Sequence, residues 1–215
     1  MFDKNWENEI YKNKKQINKY PFDWVVSSTN KYIKKKNKLT GLELGCGVGN
    51  NIPFLLDYGF KKIYAIEGSK TACKILKNKY IRKKSVLIIN KDFNKYKYKK
   101  EYFDLILDRG SITHNKVKDI KSTLMHIKQS LADNGHFFSV MFNRKAHFRT
   151  NKKNAQFFKN ITPGNKGLLT NFFSKREILY LFRDFKIIEL REDIHLVHFP
   201  QKKIFSTWNI ICKNK

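Results

Sequence analysis

TGLELGCGVGNN, residues 40–51, is a short apolar run followed by three alternating glycines, Gly45, Gly47 and Gly49. Glycines at such a turn let the backbone leave a strand and approach a ligand, while the amides that open the next helix face the same crevice. A dinucleotide fingerprint would need glycine where Asn50 stands, and no Gly-Lys-Ser/Thr follows as in a Walker loop. Glu43 precedes the turn, and its carboxylate would repel a pyrophosphate and attract a cation. The stretch therefore predicts a site for a nucleoside with a positively charged tail.

Short apolar runs rich in β-branched and aromatic residues alternate with helical patterns along the rest of the chain. The first five runs cover residues 39–44, 62–67, 85–90, 102–108 and 135–142. Strands that alternate with helices form crossover units and a parallel sheet covered on both faces. Two further runs, 186–192 and 206–213, follow a last helix and lie close enough in sequence to pair antiparallel. The pattern predicts an α/β, Rossmann-like, seven-stranded and mostly parallel sheet with helices on both faces and an antiparallel edge strand.

Charge is the most unusual bulk property of the chain. Lysine and arginine number 45 against 18 acidic residues, so the formal net charge is +27. The composition is rich in residues that A+T-rich codons encode, so genome bias accounts for part of the lysine content. Because such bias also enriches glutamate, the remaining excess indicates an anionic partner: a phosphorylated metabolite, a nucleic acid or a membrane surface.

Length and residue usage narrow the setting further. A chain of 215 residues can build one domain with a proper core. No 18 consecutive residues are apolar and the opening lacks a signal-peptide core, so we expect no membrane span and a cytoplasmic location. The three cysteines are widely spaced and predict free thiols. No metal is expected, because no carboxylate and histidine cluster has ligand spacing.

Four motifs in register resemble those of the class I S-adenosylmethionine-dependent methyltransferases. They are LELGCGVGN, Glu67 in YAIEGS, Asp92 in INKDF, and FDLILDRGSITHN, and LADNGHFFS resembles the segment that leads into the family's fifth strand. The agreement covers roughly residues 39–142. DRGSITHN and the C-terminal tail look most like small bacterial methyltransferases that modify metabolites or surface carbohydrates. The resemblance implies S-adenosylmethionine as the cofactor.

The same resemblance implies how the chain is divided. It is a single methyltransferase domain over residues 1–215, with a helical and aromatic N-terminal cap (1–38), a cofactor-binding half (39–142), a basic substrate insertion (143–173), and a final helix and strand pair (174–215). The aromatic residues of the cap can stack a base or a sugar, but packing is expected for most of them. They are Trp6, Tyr11, Tyr20, Phe22 and Trp24.

Each motif residue has a task in the family. Glu67 would accept hydrogen bonds from both ribose hydroxyls, and Asp92 would accept one from the adenine amino group. Phe93 would pack on the adenine ring. Asp108 would lie beside the methionine tail, with an ion pair to Arg109 as the alternative. The predicted cofactor-binding set is Glu43, Gly45, Cys46, Gly47, Gly49, Asn50, Glu67, Gly68, Asp92, Phe93 and Asp108.

His114 is the candidate for chemistry. Methyl transfer depends mainly on the position of the acceptor lone pair, and removal of a hydroxyl proton helps when the acceptor is an alcohol. A histidine just past the fourth strand can act as that base or orient the acceptor. The alternative is a packing or capping histidine.

A basic segment is the candidate acceptor site. Between residues 143 and 176 the chain carries nine basic residues and no acidic one, where this fold inserts substrate lids. Arg144 and Arg149 from this segment, with Arg109 and Tyr20, are the predicted acceptor-binding residues. The alternative is a solvated loop.

Three functions remain open on the sequence. The first is methylation, expected on oxygen, of a small anionic acceptor such as a nucleotide-linked or phosphorylated sugar, or a related phosphate derivative, in surface polysaccharide synthesis. The second is an RNA methyltransferase, although DRGS stands where amino-directed nucleic-acid enzymes carry an Asn/Asp-Pro-Pro-Tyr/Phe motif. The third is a non-catalytic cofactor-binding module. No feature of the sequence predicts an oligomeric state.

Overall fold

One seven-stranded sheet organises the chain. The computed structural model describes residues 2–34, 38–146, 168–200 and 202–215. The strand order is β3-β2-β1-β4-β5-β7-β6. In chain order the strands are β1 (Leu39–Leu44), β2 (Phe60–Glu67), β3 (Val86–Asn90), β4 (Phe103–Asp108), β5 (Leu131–Phe142), β6 (Phe185–Val197) and β7 (Lys203–Asn214). Strands β1 to β5 pair in parallel, and β7 pairs antiparallel with both β5 and β6.

Five α-helices cover the two faces of the sheet. They are α1 (Asp23–Tyr32), α2 (Ile52–Tyr58), α3 (Lys70–Tyr80), α4 (Val117–Ser130) and α5 (Lys175–Leu181). Apolar residues of α1, α2 and α3 share one core cluster with the sheet, and those of α4 and α5 share another. A π-helical turn, Trp6–Tyr11, and two 3-10 turns, Phe93–Lys95 and Ile112–His114, complete the elements. Burial of both sheet faces explains the continuous apolar runs of the central strands.

Local sequence signals set several boundaries. Ser69 caps α3 by accepting a hydrogen bond from the backbone N–H of Ala72. Ser174 and Glu177 form a reciprocal capping box at the start of α5. Because the paired residues lie three positions apart, these boundaries can be predicted from the local sequence.

The predicted fold class is confirmed, with one difference in detail. The antiparallel strand is β7, which lies between β5 and β6, so that β6 forms the outer edge. The pair also extends beyond the apolar runs, to the register partners Val197 and Lys203. Pairing continues there through backbone hydrogen bonds, which do not require an apolar sequence. No helix within the described ranges is long and apolar enough to cross a bilayer.

The strand order creates a crevice at one edge of the sheet. β1 lies between β2 and β4. From β1 the chain adds β2 and β3 on one side of the sheet, and then returns to add β4 and β5 on the other side. Ligands of open α/β sheets bind at such a switch point, outside the carboxyl ends of the strands. Leu44 and Asp108, which end β1 and β4, are register partners at this point.

Candidate active site

A cavity of about 260 Å³ lies at this switch point. Its floor comes from the residues that follow the parallel strands, and its roof comes from residues 2–22. The cavity-lining residues are Phe2, Asp3, Trp6, Tyr11, Gln16, Phe22, Gly45, Glu67, Gly68, Lys91, Asp92, Phe93, Arg109, Gly110, Ser111, His114, Asn115, Phe142 and Phe205. Aromatic rings therefore line much of the cavity, beside two basic and three acidic side chains.

The glycine turn after β1 forms part of the cavity floor. Gly45 has φ +57°, and a Cβ built on it would lie 2.4 Å from Ser111 Cβ. A side chain at this position would therefore both strain the backbone and fill the space between the two strand ends. The close approach at Gly45 is therefore to Ser111, whereas the approach of this backbone to a ligand stays a prediction.

Glu67 is held rigidly at the end of β2. Its Oε2 accepts a hydrogen bond from the backbone N–H of Gly47 at 2.9 Å, and its Oε1 accepts one from Ser69 at 2.7 Å. The side chain is buried and lines the cavity. Burial raises the pKa of Glu67, while the backbone donors oppose that shift. Each carboxylate oxygen has further lone pairs, so two more donors can be accepted from the cavity side.

Asp92, Phe93 and Gly68 form the neighbouring wall. Asp92 Oδ1 accepts a hydrogen bond from the backbone N–H of Asn94 at 3.0 Å, and its Oδ2 accepts one from Phe2 at 2.7 Å. The structure thus brings Glu67, Gly68, Asp92 and Phe93 into one cavity with Gly45.

Glu43 does not line the cavity. Its Oε1 accepts a hydrogen bond from Asn51 Nδ2 at 2.7 Å, and its Oε2 has no hydrogen-bond partner within the described part of the chain. Burial raises the pKa of Glu43 to about 7. The Glu43 carboxyl group is therefore buried behind the glycine turn, and a hydrogen bond is made by only one of its two oxygens. It could influence a ligand in the cavity through its charge and not by direct contact.

The other members of the first motif support the turn from behind. Cys46 is buried and its Sγ contacts the Gly47 carbonyl, while Gly49 packs against Leu76. Asn50 donates from Nδ2 to the backbone carbonyl of Tyr20 at 3.0 Å, although the Tyr20 side chain is 72% exposed. None of these side chains lines the cavity.

Asp108 has a complete set of partners in the protein. Its Oδ1 accepts from the N–H and hydroxyl of Ser111 at 2.7 and 2.6 Å and from the N–H of Ile112 at 3.0 Å. Its Oδ2 accepts from the Ser139 hydroxyl at 2.9 Å. The side chain is fully buried and does not line the cavity, and neither predicted role is seen in these contacts. Asp108 instead shapes the turn that carries the site.

Arg109 lines the cavity with its guanidinium group 4.2 Å from the centroid of the Phe22 ring. Although the side chain is exposed, surrounding protein atoms desolvate the charge and lower the pKa of Arg109. The nearby carboxylates of Asp108, Asp23 and Asp193 oppose that shift. Arg109 makes no hydrogen bond or ion pair with the residues that the structure describes.

His114 ends a 3-10 turn and lines the same cavity. Its Nδ1 lies 2.9 Å from the Leu169 carbonyl oxygen and 2.9 Å from the Thr170 hydroxyl. The ring packs edge-on against Trp6 and Phe142, with centroid separations of 4.9 and 5.8 Å. Burial lowers the pKa of His114 to about 4, so the imidazole is neutral near pH 7.

The basic segment is only partly described. Arg144 pairs with Glu177 and Lys145 pairs with Glu192, at 2.5 and 2.9 Å, and neither basic residue lines the cavity. Arg149 lies outside the described residues, as do the central lysines of the segment. The structure therefore brings Arg109 into the cavity, and leaves Arg144 in a surface ion pair.

The N-terminal segment, defined here as residues 2–22, contributes aromatic side chains to the cavity, which is one of the two roles that the sequence leaves open for them. Trp6, Tyr11 and Phe22 line the cavity, although packing is the role that the sequence favours for most of its aromatic residues. Glu7 fastens the segment to the start of α3, where its carboxylate accepts hydrogen bonds from the hydroxyls of Ser69 and Thr71 at 2.5 and 2.6 Å. No short motif predicts such contacts, because the partners are more than 60 positions apart.

The comparisons with known proteins agree with this geometry. Residues 15–187 match the family described as "Methyltransferase domain". The human protein named "eEF1A lysine and N-terminal methyltransferase" is 25% identical over 132 residues, which are 58% of this chain and 19% of that protein. The chain thus spans about a fifth of the length of the curated relatives it matches.

Two solved structures share the fold. A SAM-dependent methyltransferase from Methanosarcina mazei has a TM-score of 0.70 at 13% identity, covering 91% of this chain and 98% of that one. The 1,6-didemethyltoxoflavin-N1-methyltransferase of Burkholderia thailandensis, solved with S-adenosylhomocysteine, has a TM-score of 0.67 at 14% identity, covering 90% and 77%.

The fold and the cavity define a Rossmann-like protein with a cavity at the switch point of its sheet. The chain belongs to the family described as "Methyltransferase domain", and it shares its fold with solved S-adenosylmethionine-dependent methyltransferases. The cofactor of the family is S-adenosylmethionine, and the residues that line the cavity have the chemistry to hold it. The Glu67 carboxylate lies at the end of β2, and the Asp92 carboxylate and the Phe93 ring follow β3. Across the described ranges, no group of three or more His, Cys, Asp or Glu residues could hold a metal ion.

Proposed function

We propose that the protein transfers a methyl group from S-adenosylmethionine to an oxygen atom of a small anionic acceptor. The proposal of an anionic acceptor rests on Arg109. Its guanidinium lines the cavity, packs on the Phe22 ring and forms no ion pair with a carboxylate among the described residues. A guanidinium presents a rigid fork of donors that matches carboxylate and phosphate groups. An anionic acceptor would supply the missing partner.

Five cavity-lining residues are proposed to hold the cofactor. Glu67 would accept hydrogen bonds from the ribose hydroxyls, and Asp92 would accept one from the adenine amino group. The Phe93 ring would pack against the nucleoside, and the backbone of Gly45 and Gly68 would form part of the same wall. When bound, S-adenosylmethionine supplies an electrophilic methyl group on a sulfonium centre. Glu43, Asp108 and the remaining motif residues support this wall from behind through the hydrogen bonds described above.

His114 is proposed to orient the acceptor. Trp6 and Phe142 fix the plane of its ring, and burial keeps the imidazole neutral, because the pKa is about 4. A neutral imidazole can accept a hydrogen bond from an acceptor hydroxyl and so aim an oxygen lone pair. With so low a pKa it is a weak base, so orientation is the larger part of its proposed role.

The finer acceptor class is a nucleotide-linked or phosphorylated sugar, or a related phosphate derivative, as in surface polysaccharide synthesis. It is supported by the net charge of +27, by Lys91 and Arg109 at the cavity, and by the resemblance of the DRGSITHN motif. The human relative is named for protein substrates and the Burkholderia neighbour for a small heterocycle. Because the acceptors in these names differ so much, the proposed acceptor class rests on the residues of this cavity.

The test is an assay of S-adenosylhomocysteine release with purified protein against a panel of sugar phosphates, nucleotide sugars, their uncharged counterparts, peptides and bulk tRNA. We expect turnover with an anionic small molecule and none with its neutral counterpart. Arg109→Ala should raise the acceptor KM by about 10- to 100-fold, corresponding to the loss of a charge-assisted contact. Arg144→Ala, which removes a surface arginine paired with Glu177, is the matched control and should leave the KM unchanged.

Two outcomes would overturn the acceptor class. One is turnover of neutral or peptide acceptors that Arg109→Ala does not affect. The other is tight binding to tRNA that survives physiological salt, since binding by a merely basic surface weakens steeply as salt rises. The second outcome would favour the RNA methyltransferase.

A further inference from the structure

The turn that carries His114 is clamped by a segment distant in sequence. The side-chain amide of Asn171 donates to the carbonyl oxygens of Thr113 at 2.9 Å and Asn115 at 2.6 Å. The backbone N–H of Asn171 also donates to the Thr113 carbonyl at 3.0 Å, and its carbonyl accepts from the Thr113 hydroxyl at 2.7 Å. Asn171 thus makes three hydrogen bonds with Thr113 and one with Asn115, the two residues on either side of His114.

These hydrogen bonds lie in the interior. Asn171 is 4% exposed, and Thr113 and Thr170 are fully buried. Buried polar groups that are fully paired hold one geometry, because any other arrangement would leave a donor or acceptor without a partner. The clamp therefore places residues 169–171 against the His114 ring as well as against its backbone.

This placement specifies the tautomer of His114. The Leu169 carbonyl can only accept a hydrogen bond, so at 2.9 Å it requires a proton on Nδ1. The Thr170 hydroxyl, also 2.9 Å from Nδ1, can act as a second acceptor of the same proton. In a neutral ring with Nδ1 protonated, Nε2 carries the free lone pair. No hydrogen bond to Nε2 is made by the residues that the structure describes.

We propose that Asn171 is a positioning residue that holds His114 against the Leu169 carbonyl and so presents Nε2 as a hydrogen-bond acceptor to the methyl acceptor. This proposal rests on the proposed function, since it assumes that the acceptor reaches His114. It adds a requirement on the substrate: the atom to be methylated carries a hydrogen, as a hydroxyl or an N–H group. An ionised carboxylate would meet the Nε2 lone pair as a repulsive partner.

The first experiment reads the tautomer directly, without any assay of activity. Long-range proton–nitrogen NMR correlations of the imidazole rings are recorded on the full-length protein at pH 7.5, and His114 is assigned by its loss in His114→Gln. We expect the Nδ1-protonated form in the wild type. An Nε2-protonated ring in the wild type would overturn the proposal even if no acceptor had been found.

Three variants then test Asn171. Asn171→Asp keeps the size of the side chain but replaces the two donors with oxygens that would face the Thr113 and Asn115 carbonyls. It should populate both tautomers and lower kcat by about 10- to 100-fold, the usual contribution of one positioned acid–base group, with little change in cofactor Kd. Thr170→Val removes only the second contact to Nδ1, so the tautomer should stay as in the wild type. Asn209→Ala removes a similarly buried amide on β7, which donates to Asp193, and should also preserve the tautomer and kcat.

The outcomes separate the two proposals. Loss of kcat in Asn171→Asp with an unchanged tautomer would show a structural role alone and overturn the positioning proposal. Should Asn171→Asp fail to fold, Asn171→Ala takes its place, because it removes the same two side-chain donors without adding a charge and must also populate both tautomers. An acceptor that is methylated on a carboxylate would overturn the substrate requirement and leave the methyltransferase assignment intact. Absence of turnover with every acceptor class would count against the proposed function and not against the tautomer.

Discussion

The backbone N–H of Phe2 donates a hydrogen bond to Asp92 Oδ2 at 2.7 Å, on the carboxylate proposed to hold the adenine amino group. The ring of the same residue packs so closely on Gly68 that a Cβ built there would lie 2.1 Å from Phe2 Cδ2. The N-terminal segment thus occupies hydrogen-bonding and packing positions of the proposed nucleoside wall, while Glu7 fastens it to α3.

The backbone N–H of Phe2 and the adenine amino group would compete for Asp92. Weakening the contact between Phe2 and Asp92 should therefore improve cofactor binding. Phe2→Ala removes the ring, and Phe2→Pro removes the N–H donor as well. Because a hydrogen bond contributes about 0.5–1.5 kcal/mol, Phe2→Pro should lower the Kd for S-adenosylhomocysteine by about 2- to 10-fold in calorimetry. Ile17→Ala, on an exposed side chain of the same segment, serves as the control. A weaker affinity in both Phe2 variants would mean that the ring covers the bound nucleoside instead of competing with it.

The close approach of Gly45 and Ser111 predicts a large effect of one methyl group. Gly45→Ala should weaken binding of S-adenosylhomocysteine by more than about 10-fold, since its Cβ would meet Ser111 at 2.4 Å and displace the turn. Gly59→Ala also places a side chain on a positive φ, +122°, but meets no atom within 4 Å. That variant should lose about 1 kcal/mol of stability and keep the wild-type affinity. Equal affinities in the two variants would remove the turn from the binding site.

The partners of Asp108 predict a role in stability. Asp108→Ala leaves the amides of Ser111 and Ile112 and the Ser139 hydroxyl without their acceptor, so the free energy of unfolding should fall by about 2–4 kcal/mol. Ser139→Ala removes one of these hydrogen bonds and should cost about 0.5–1.5 kcal/mol. Urea denaturation without cofactor measures both changes. A stable Asp108→Ala protein that has lost only its cofactor affinity would restore the role that the family resemblance implies.

The buried carboxyl group of Glu43 predicts a pH-dependent stability. Its folded pKa of about 7 lies above the ordinary value of 4.5, so the folded state binds the proton more tightly and stability falls as pH rises from about 4.5 to 7. Glu43→Gln removes this ionisation and should be about 3 kcal/mol more stable than the wild type at pH 8, with a difference that shrinks as the pH falls. Glu9→Gln, on an exposed side chain, is the control for the substitution itself. A difference that does not vary with pH would place the ionisation of Glu43 outside this range.

His114 predicts a separate effect of pH on turnover. Because its pKa is about 4, protonation should not reduce kcat between pH 8 and 5.5, and should remove the Nε2 lone pair as the pH approaches 4. His114→Gln should lower kcat by about 10- to 100-fold, with a cofactor Kd within about twofold of the wild type. His195→Gln, on the exposed edge strand, is the control. A loss of kcat centred near the ordinary histidine pKa, absent from His114→Gln, would show that the ring is not desolvated during turnover.

The alternation of apolar runs and helical patterns was enough to predict the architecture, and the motif order was enough to predict the family. Both depend on signals that lie within one strand, one helix or one turn. The same local signals predicted that five residues lie together, because parallel strands bring the residues that follow them to one edge of the sheet. These residues are Gly45, Glu67, Gly68, Asp92 and Phe93, and all five line the cavity.

Residue type and position alone did not determine which polar groups face the cavity. Asp108 ends β4 as Glu67 ends β2, and Glu43 lies one residue before the end of β1. Yet Glu43 accepts a hydrogen bond from Asn51, and Asp108 accepts hydrogen bonds from Ser111, Ile112 and Ser139. Such partners depend on the direction of each side chain and on packing around it.

The sequence was sufficient to predict the sheet, the glycine turn, the family and the edge of the sheet where a cofactor would bind. The folded chain shows in addition that Phe2 reaches Asp92, that Arg109 enters the cavity while Arg144 pairs with Glu177, and that Asn171 clamps the turn of His114. The paired residues in these contacts lie 33 to 90 positions apart, so the contacts depend on the core that brings their elements together, and no local propensity encodes them.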